Sequence, residues 1–344
     1  MKFRSGWRGL LRPFQPCGLI MARPMSRKSL WRVLQWLAAL LILFFWGRAV
    51  RNNWGVLAGY PWHISPTWLA LSLAFLGVQA LLLATLWRRL LALCGVALPR
   101  RQGNALWLQS QLARYLPGGV WEVATRVVMG RRLGIGALVM SAVYGLELAL
   151  QILSAGVFLG AALALRSERP PTSYLVLVVV LVLASLLVLL PPVFNPLVRW
   201  GLRVLKRPAV SVQVTYRASL GLFGAYLLAH ALSGLGFVLF LRGVGPLSWS
   251  QAPQLALAYV GAWLFGQVAV FVPTGIGVRE GALGLILGSR YSFVAITTLA
   301  LGFRLLIAVR DLVMAFYGKW LDRSPSPTAD RADKNATEFV IDDR

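Results

Sequence analysis

Carboxylates are scarce in this chain, and their positions are the first clue to its chemistry. Of eleven acidic residues, six fall from Asp322 onward. The rest are Glu122, Glu147, Glu168, Glu280 and Asp311. All but Glu168 lie within or beside long apolar stretches. A carboxylate there costs about 2.5–3.5 kcal/mol on insertion scales, so it persists when it pairs, faces a cavity or takes part in function. Glu122 and Arg126 are four residues apart and share one face of a helix. Arg279 with Glu280, and Arg310 with Asp311, are neighbours in sequence. On a helix neighbours point apart, so each is expected to need another partner. Arg304 stands about two turns before Asp311. Glu147 sits in mid-span with no basic residue near it in sequence, and is expected to be protonated, hydrogen-bonded or paired across helices. Glu147 and Asp311, with Arg310, are candidate proton-carrying or ion-pair sites. Interhelical salt bridges that only hold a bundle together are the competing explanation for both acids.

The stretches that carry these acids are membrane-like. Hydrophobic residues make up 58% of 344 and charged residues 13%, too little charge for a soluble domain. The apolar runs Leu30 to Val50, Thr67 to Trp87, Gly136 to Leu165, Tyr174 to Phe194 and Leu220 to Leu241 can each cross a hydrocarbon core roughly 30 Å thick. Phe293 to Trp320 makes a last span. The net charge of +24 gathers between the runs, as positive-inside topology requires, and forms no stripe suited to nucleic acid. Residues 1–29 read as a basic cytoplasmic arm, 30–321 as the membrane domain and 322–344 as a disordered cytoplasmic tail. Both termini are expected inside, in a multi-pass protein of a bacterial inner membrane. Cys17 and Cys94 do not pair at motif spacing, and His63 and His230 are isolated, so no metal site or cofactor is expected. His230 is expected to be a packing residue within its helix.

Two segments are apolar but broken. One reads Gln111-Leu-Ala-Arg-Tyr-Leu-Pro117-Gly118-Gly119-Val-Trp-Glu122. The other reads Gln267-Val-Ala-Val-Phe-Val-Pro273-Thr-Gly275-Ile-Gly277-Val-Arg279-Glu280. Both place Gln six residues before Pro, glycines at the break and Glu at the next helix start. Short apolar pieces around a Pro/Gly break read as re-entrant hairpins. The charge pattern enters them from opposite sides, which makes the half-repeats, about 67–165 and 218–320, inverted. The fold class is therefore all-α: a polytopic transmembrane bundle of about six to eight membrane helices, including two broken hairpins in an inverted repeat. A helix start after each break offers backbone N–H groups and a positive dipole end to an anion. With Arg126 or Arg279 added, the site suits a phosphate, and so the headgroup of an anionic membrane lipid. The expected substrate-binding set is Glu122, Arg126, Arg279, Glu280, Pro117, Gly118, Gly119, Pro273, Gly275 and Gly277. Neither a catalytic constellation nor a Walker loop appears, so no enzyme is expected.

At these motifs the chain resembles the lysylphosphatidylglycerol synthase transmembrane-region family. Tyr115-Leu-Pro-Gly-Gly-Val-Trp-Glu122, with Arg126 and Arg132-Leu-Gly134, resembles its first signature. Pro273-Thr-Gly-Ile-Gly-Val-Arg-Glu280-Gly281 resembles its second, usually Pro-Gly-Gly-Leu-Gly-Val-Arg-Glu. Thr274 and Trp121 stand where members often have Gly. The resemblance covers most of residues 30–320 and implies lipid translocation or support of lipid-linked envelope synthesis. It does not extend to synthase activity, because only a short polar tail follows the last span. The expected function is a flippase-like transporter of an anionic phospholipid or a polyprenyl-phosphate-linked lipid. The alternative is a non-catalytic membrane partner of a glycosyltransferase or lipid-modifying enzyme.

Overall fold

The computed structural model describes residues 54–116, 120–165, 215–269, 277–288 and 291–323, besides a few isolated positions. The expected spans Leu30 to Val50 and Tyr174 to Phe194, both terminal segments and most of the basic stretch before Arg217 lie outside those stretches. So do five of the expected site residues: Pro117, Gly118, Gly119, Pro273 and Gly275.

Every regular element among the described residues is helical. They are α1 (Trp54–Ala58), α2 (Pro66–Leu93), α3 (Arg100–Ser110), α4 (Trp121–Arg132), α5 (Ala137–Ala164), α6 (Tyr216–Val244), α7 (Ala252–Val268), α8 (Val278–Leu287) and α9 (Phe293–Arg323). A 3₁₀ segment, Gln111–Tyr115, continues α3. Four of these helices, α2, α5, α6 and α9, are long and apolar enough to cross a membrane, with mean hydropathy between 1.8 and 2.2. At 28 to 31 residues and about 1.5 Å each, they exceed a core of roughly 30 Å. α2, α6 and α9 cover the predicted spans and run a few residues further, while α5 stops one residue short of its predicted span at each end. Arg217, which precedes the predicted run Leu220 to Leu241, sits in the first turn of α6. By contrast α3, α4 and α8 have 11, 12 and 10 residues, too few to cross.

Local chemistry sets the helix ends. Pro66 opens α2, where its missing N–H is not needed. After α2, Gly95 adopts φ 81°, Val96 N–H donates to the Leu91 carbonyl and Gly95 N–H to that of Ala92. After α4, Gly134 at φ 73° repeats the arrangement, with Ile135 N–H donating to Gly130 and Gly134 N–H to Arg131. Both are Schellman ends, which require a left-handed residue that glycine supplies without strain. Thr215 caps α6 by accepting from Ala218 N–H.

Packing pairs helices of the two halves. The closest association is α2 with α6, and the two run antiparallel: Ser72 Oγ donates to the Gly236 carbonyl at 2.7 Å, and Leu69 lies against Gly243. Around this pair α3 packs on α9 and α7 packs on α5, while α4 leans on α5 and α8 on α9. Exchanging α2–α5 for α6–α9 in order leaves this set of pairings unchanged. Small residues permit the close approaches. A Cβ on Gly261 would meet Leu159 Cα at 3.0 Å, and one on Gly234 would meet the Ala256 carbonyl at 2.9 Å. Tight small-residue contacts are the usual basis of helix association in lipid. Two buried apolar clusters result. One joins Trp87, Trp107, Met140 and Tyr226 from the first half and the start of α6. The other centres on Phe237, Tyr259 and Phe303, whose rings lie 4.4 to 5.2 Å apart. On the outside, α9 presents Leu305, Leu312 and Phe316 along one face, all exposed. An exposed apolar face of that kind suits a lipid surface better than water.

Candidate functional site

In the first half the functional side chains converge on Arg126. It projects from α4 and is only 1% exposed. Its guanidinium donates to Glu122 Oε1 at 2.5 Å, one turn earlier, and makes a very short bond to Glu147 Oε2 on α5. Its Nε donates to Ser110 Oγ at 3.1 Å. The rings of Trp87, Trp107 and Tyr144 surround it, with centroids 5.1 to 5.6 Å away. Trp107 Nε1 donates to the other Glu147 oxygen at 2.9 Å, and Gln111 Nε2 to Glu122 at 3.1 Å. The expected pair of Glu122 and Arg126 is present. Glu147, which had no visible partner in sequence, is paired across helices. Charges removed from water need such dense compensation, since each uncompensated ion costs several kcal/mol.

A second station joins the end of α3 to α9. Tyr115 Oη donates to Asp311 Oδ2 at 2.7 Å. Arg310 Nε lies 2.8 Å from Asp311 Oδ1, while its Nη1 donates to the Gln79 side chain at 2.9 Å and the Leu76 carbonyl at 3.2 Å. Sequence adjacency predicts that Arg310 and Asp311 point apart. The structure corrects this: the long arginine side chain folds back, so Nε reaches the neighbouring carboxylate while the head reaches α2. Arg114 bridges the two stations loosely, 3.6 Å from Glu122 and 4.0 Å from Asp311.

The second half uses the same residue types differently. Glu280, 3% exposed, is held by Arg304 of α9 at 2.8 Å. Its other oxygen accepts from Gly277 N–H at 2.7 Å, closing the first turn of α8 in the manner of half a capping box. Gly277 adopts φ 83°, which only glycine takes without strain. One N–H at this helix start is thus already occupied by the protein's own carboxylate. Arg279 points apart from Glu280, as expected. Its guanidinium lies 4.2 Å from the centre of the Tyr259 ring, and its buried Nε has no hydrogen-bond partner. Among the described residues no carboxylate lies within 4 Å of it.

The stations surround one cavity of about 210 Å³. Glu122, Glu147, Arg279 and Arg310 line it, and so do Arg114, Tyr115, Tyr259 and Arg304. Arg126, Glu280 and Asp311 stand behind that wall, in contact with its members. The expected site residues thus come together wherever they are described, except that Gly277 acts through the α8 start. Sequence reading left Arg114, Gln111, Trp107, Tyr144 and Tyr259 out of the site. Gln111 and Arg114 lie in the quoted motif, but the aromatic wall carries no local signal. His230 also lines the cavity, its ring nitrogen 3.1 Å from the Gln151 carbonyl of α5 and its ring against Trp263. Its bond is to another helix, not within its own. Among the described residues no three His, Cys, Asp or Glu side chains gather as metal ligands.

In comparisons with family models, with curated proteins and with solved structures, nothing matches this chain.

Proposed function

We propose that this chain moves an anionic lipid, a phospholipid or a polyprenyl-phosphate-linked lipid, between the leaflets of a bacterial inner membrane, with both termini in the cytoplasm. One observation carries the reading: a charged cavity lies where the two halves meet, inside a bundle with four membrane-length helices, and its Arg279 guanidinium has no carboxylate partner among the described residues. An unpaired cation partly withdrawn from water is costly unless an anion approaches it. At membrane depth the anion at hand is a lipid headgroup, and the apolar lining contributed by Leu83, Leu148, Val260 and Ile307 suits the hydrocarbon joined to that headgroup.

Two further points support transport over passive binding. The mirrored pairing of α2–α5 with α6–α9, and the antiparallel run of α2 and α6, fit an inverted repeat whose broken segments enter from opposite faces. Such repeats place substrate near the bilayer midplane and alternate access around it. The signature residues that resemble the lysylphosphatidylglycerol synthase transmembrane-region family, Glu122, Arg126, Arg279 and Glu280, all stand in or against this cavity. Under this reading the Arg126 station holds the bundle in register and the Arg279 side takes the headgroup.

The test is reconstitution into liposomes with a labelled anionic phospholipid. Purified protein is expected to speed its exchange between leaflets, and Arg279→Gln to slow that exchange at least tenfold. Protein that moves no anionic lipid would return the chain to the alternative, a membrane partner of a glycosyltransferase or lipid-modifying enzyme.

A further inference from the structure

The charge around the cavity narrows the ligand. Five arginines surround it: Arg114, Arg126, Arg279, Arg304 and Arg310. Four carboxylates face them: Glu122, Glu147, Glu280 and Asp311, each within ion-pair distance of a guanidinium. The described cluster therefore carries one positive charge in excess, and the geometry locates it. Every arginine but Arg279 has a carboxylate within 4.0 Å. Donors without a hydrogen-bond partner gather on the same cavity: the Nε atoms of Arg279, Arg114 and Arg310 and the Tyr259 hydroxyl are all buried and unbonded, although Arg310 Nε keeps its ion pair with Asp311. Buried donors are ordinarily satisfied, so such a group around one space marks where acceptor oxygens belong.

We infer that the cavity selects a headgroup of net charge −1, a phosphodiester with no ammonium group of its own, over a phosphomonoester or diphosphate. The inference rests on the lipid-transport reading and deepens it. A phosphodiester has one negative charge and two unesterified oxygens, enough to meet Arg279 and to accept from Arg114 or Tyr259. A phosphomonoester, with a second pKa of about 6, approaches two negative charges above neutrality. Its second charge would meet a site that is already neutral and would face Glu122 and Glu147. The size agrees: at about 210 Å³ the cavity is smaller than the roughly 300–1,000 Å³ that encloses a whole small-molecule ligand, so it holds a headgroup and the hydrocarbon nearest to it, while the rest of the acyl chains remains outside.

The experiment compares phosphatidylglycerol with phosphatidic acid of the same acyl chains, at pH 8, on the purified full chain. Bound lipid is counted by native mass spectrometry against phosphatidylcholine. Phosphatidylglycerol is expected to bind at least tenfold more tightly than phosphatidic acid. Arg279→Gln should remove that preference and Arg279→Lys should retain most of it. Glu122→Gln, which raises the excess to two charges, should shift the preference toward phosphatidic acid. Phosphatidic acid binding as well as phosphatidylglycerol, or better, would overturn the single-charge inference and leave lipid transport standing. Neither lipid binding above phosphatidylcholine would overturn the transport reading itself, and this inference with it.

Discussion

Arg126 sits on α4 and Arg279 on α8, two helices too short to cross a membrane, yet their surroundings are opposite. Arg126 is enclosed by two carboxylates, a serine hydroxyl and three aromatic rings. Arg279 has one ring and no carboxylate among the described residues. The long helices behind them are wired in reverse. In the first half α5 supplies the anion, Glu147; in the second α9 supplies the cation, Arg304, and the short helix supplies Glu280. The difference separates two uses of buried charge. A saturated network fixes geometry and has little left to offer a ligand. An unsaturated cation beside a cavity destabilises the empty protein slightly and is available for binding.

The comparison breaks most sharply at Arg126. Arg126→Met leaves Glu122 and Glu147 buried without their main partner, and should cost about 3–5 kcal/mol, read as a large fall in melting temperature in detergent. Adding Glu147→Gln should recover part of that loss; no recovery would mean the pair does not act as a unit. Tyr115→Phe removes the hydrogen bond to Asp311 and should cost about 1.5–3 kcal/mol, read in the same melt. Gly261→Val forces a side chain against the Leu159 backbone and should cost about 1–3 kcal/mol. Arg279→Gln should give the smallest stability change, no more than about 1 kcal/mol, because it deletes a charge that no carboxylate pairs and loses only the contact with the Tyr259 ring. A loss as large as that of Arg126→Met would erase the distinction between the two sites.

The long helices were legible because a run such as Thr67 to Trp87 has only one economical structure in lipid. Their ends were less so, since Leu90 and Leu91 extend α2 past Arg88 and Arg89, which look like a boundary. The pair Glu122 and Arg126 follows from helical spacing alone. The bond from Arg126 to Glu147 does not, since it joins separate helices 21 positions apart. The contact between Tyr115 and Asp311 spans 196 positions and depends on how α3 packs against α9. Glu280 shows the other limit. Its place after a Pro/Gly break suggested a ligand-facing acid, but one oxygen caps its own helix and the other holds Arg304. Local pattern finds which residues are unusual; tertiary packing decides which of them are already occupied.

The most direct measurement is the melting temperature of purified wild type and Arg279→Gln with an anionic phospholipid or with phosphatidylcholine. A ligand at a hundred times its dissociation constant stabilises by about 2.7 kcal/mol. The anionic lipid should therefore raise the wild-type melting temperature by several degrees beyond phosphatidylcholine, and leave Arg279→Gln where phosphatidylcholine leaves it. An equal rise in both proteins would contradict the assignment of Arg279 and its cavity as the headgroup site.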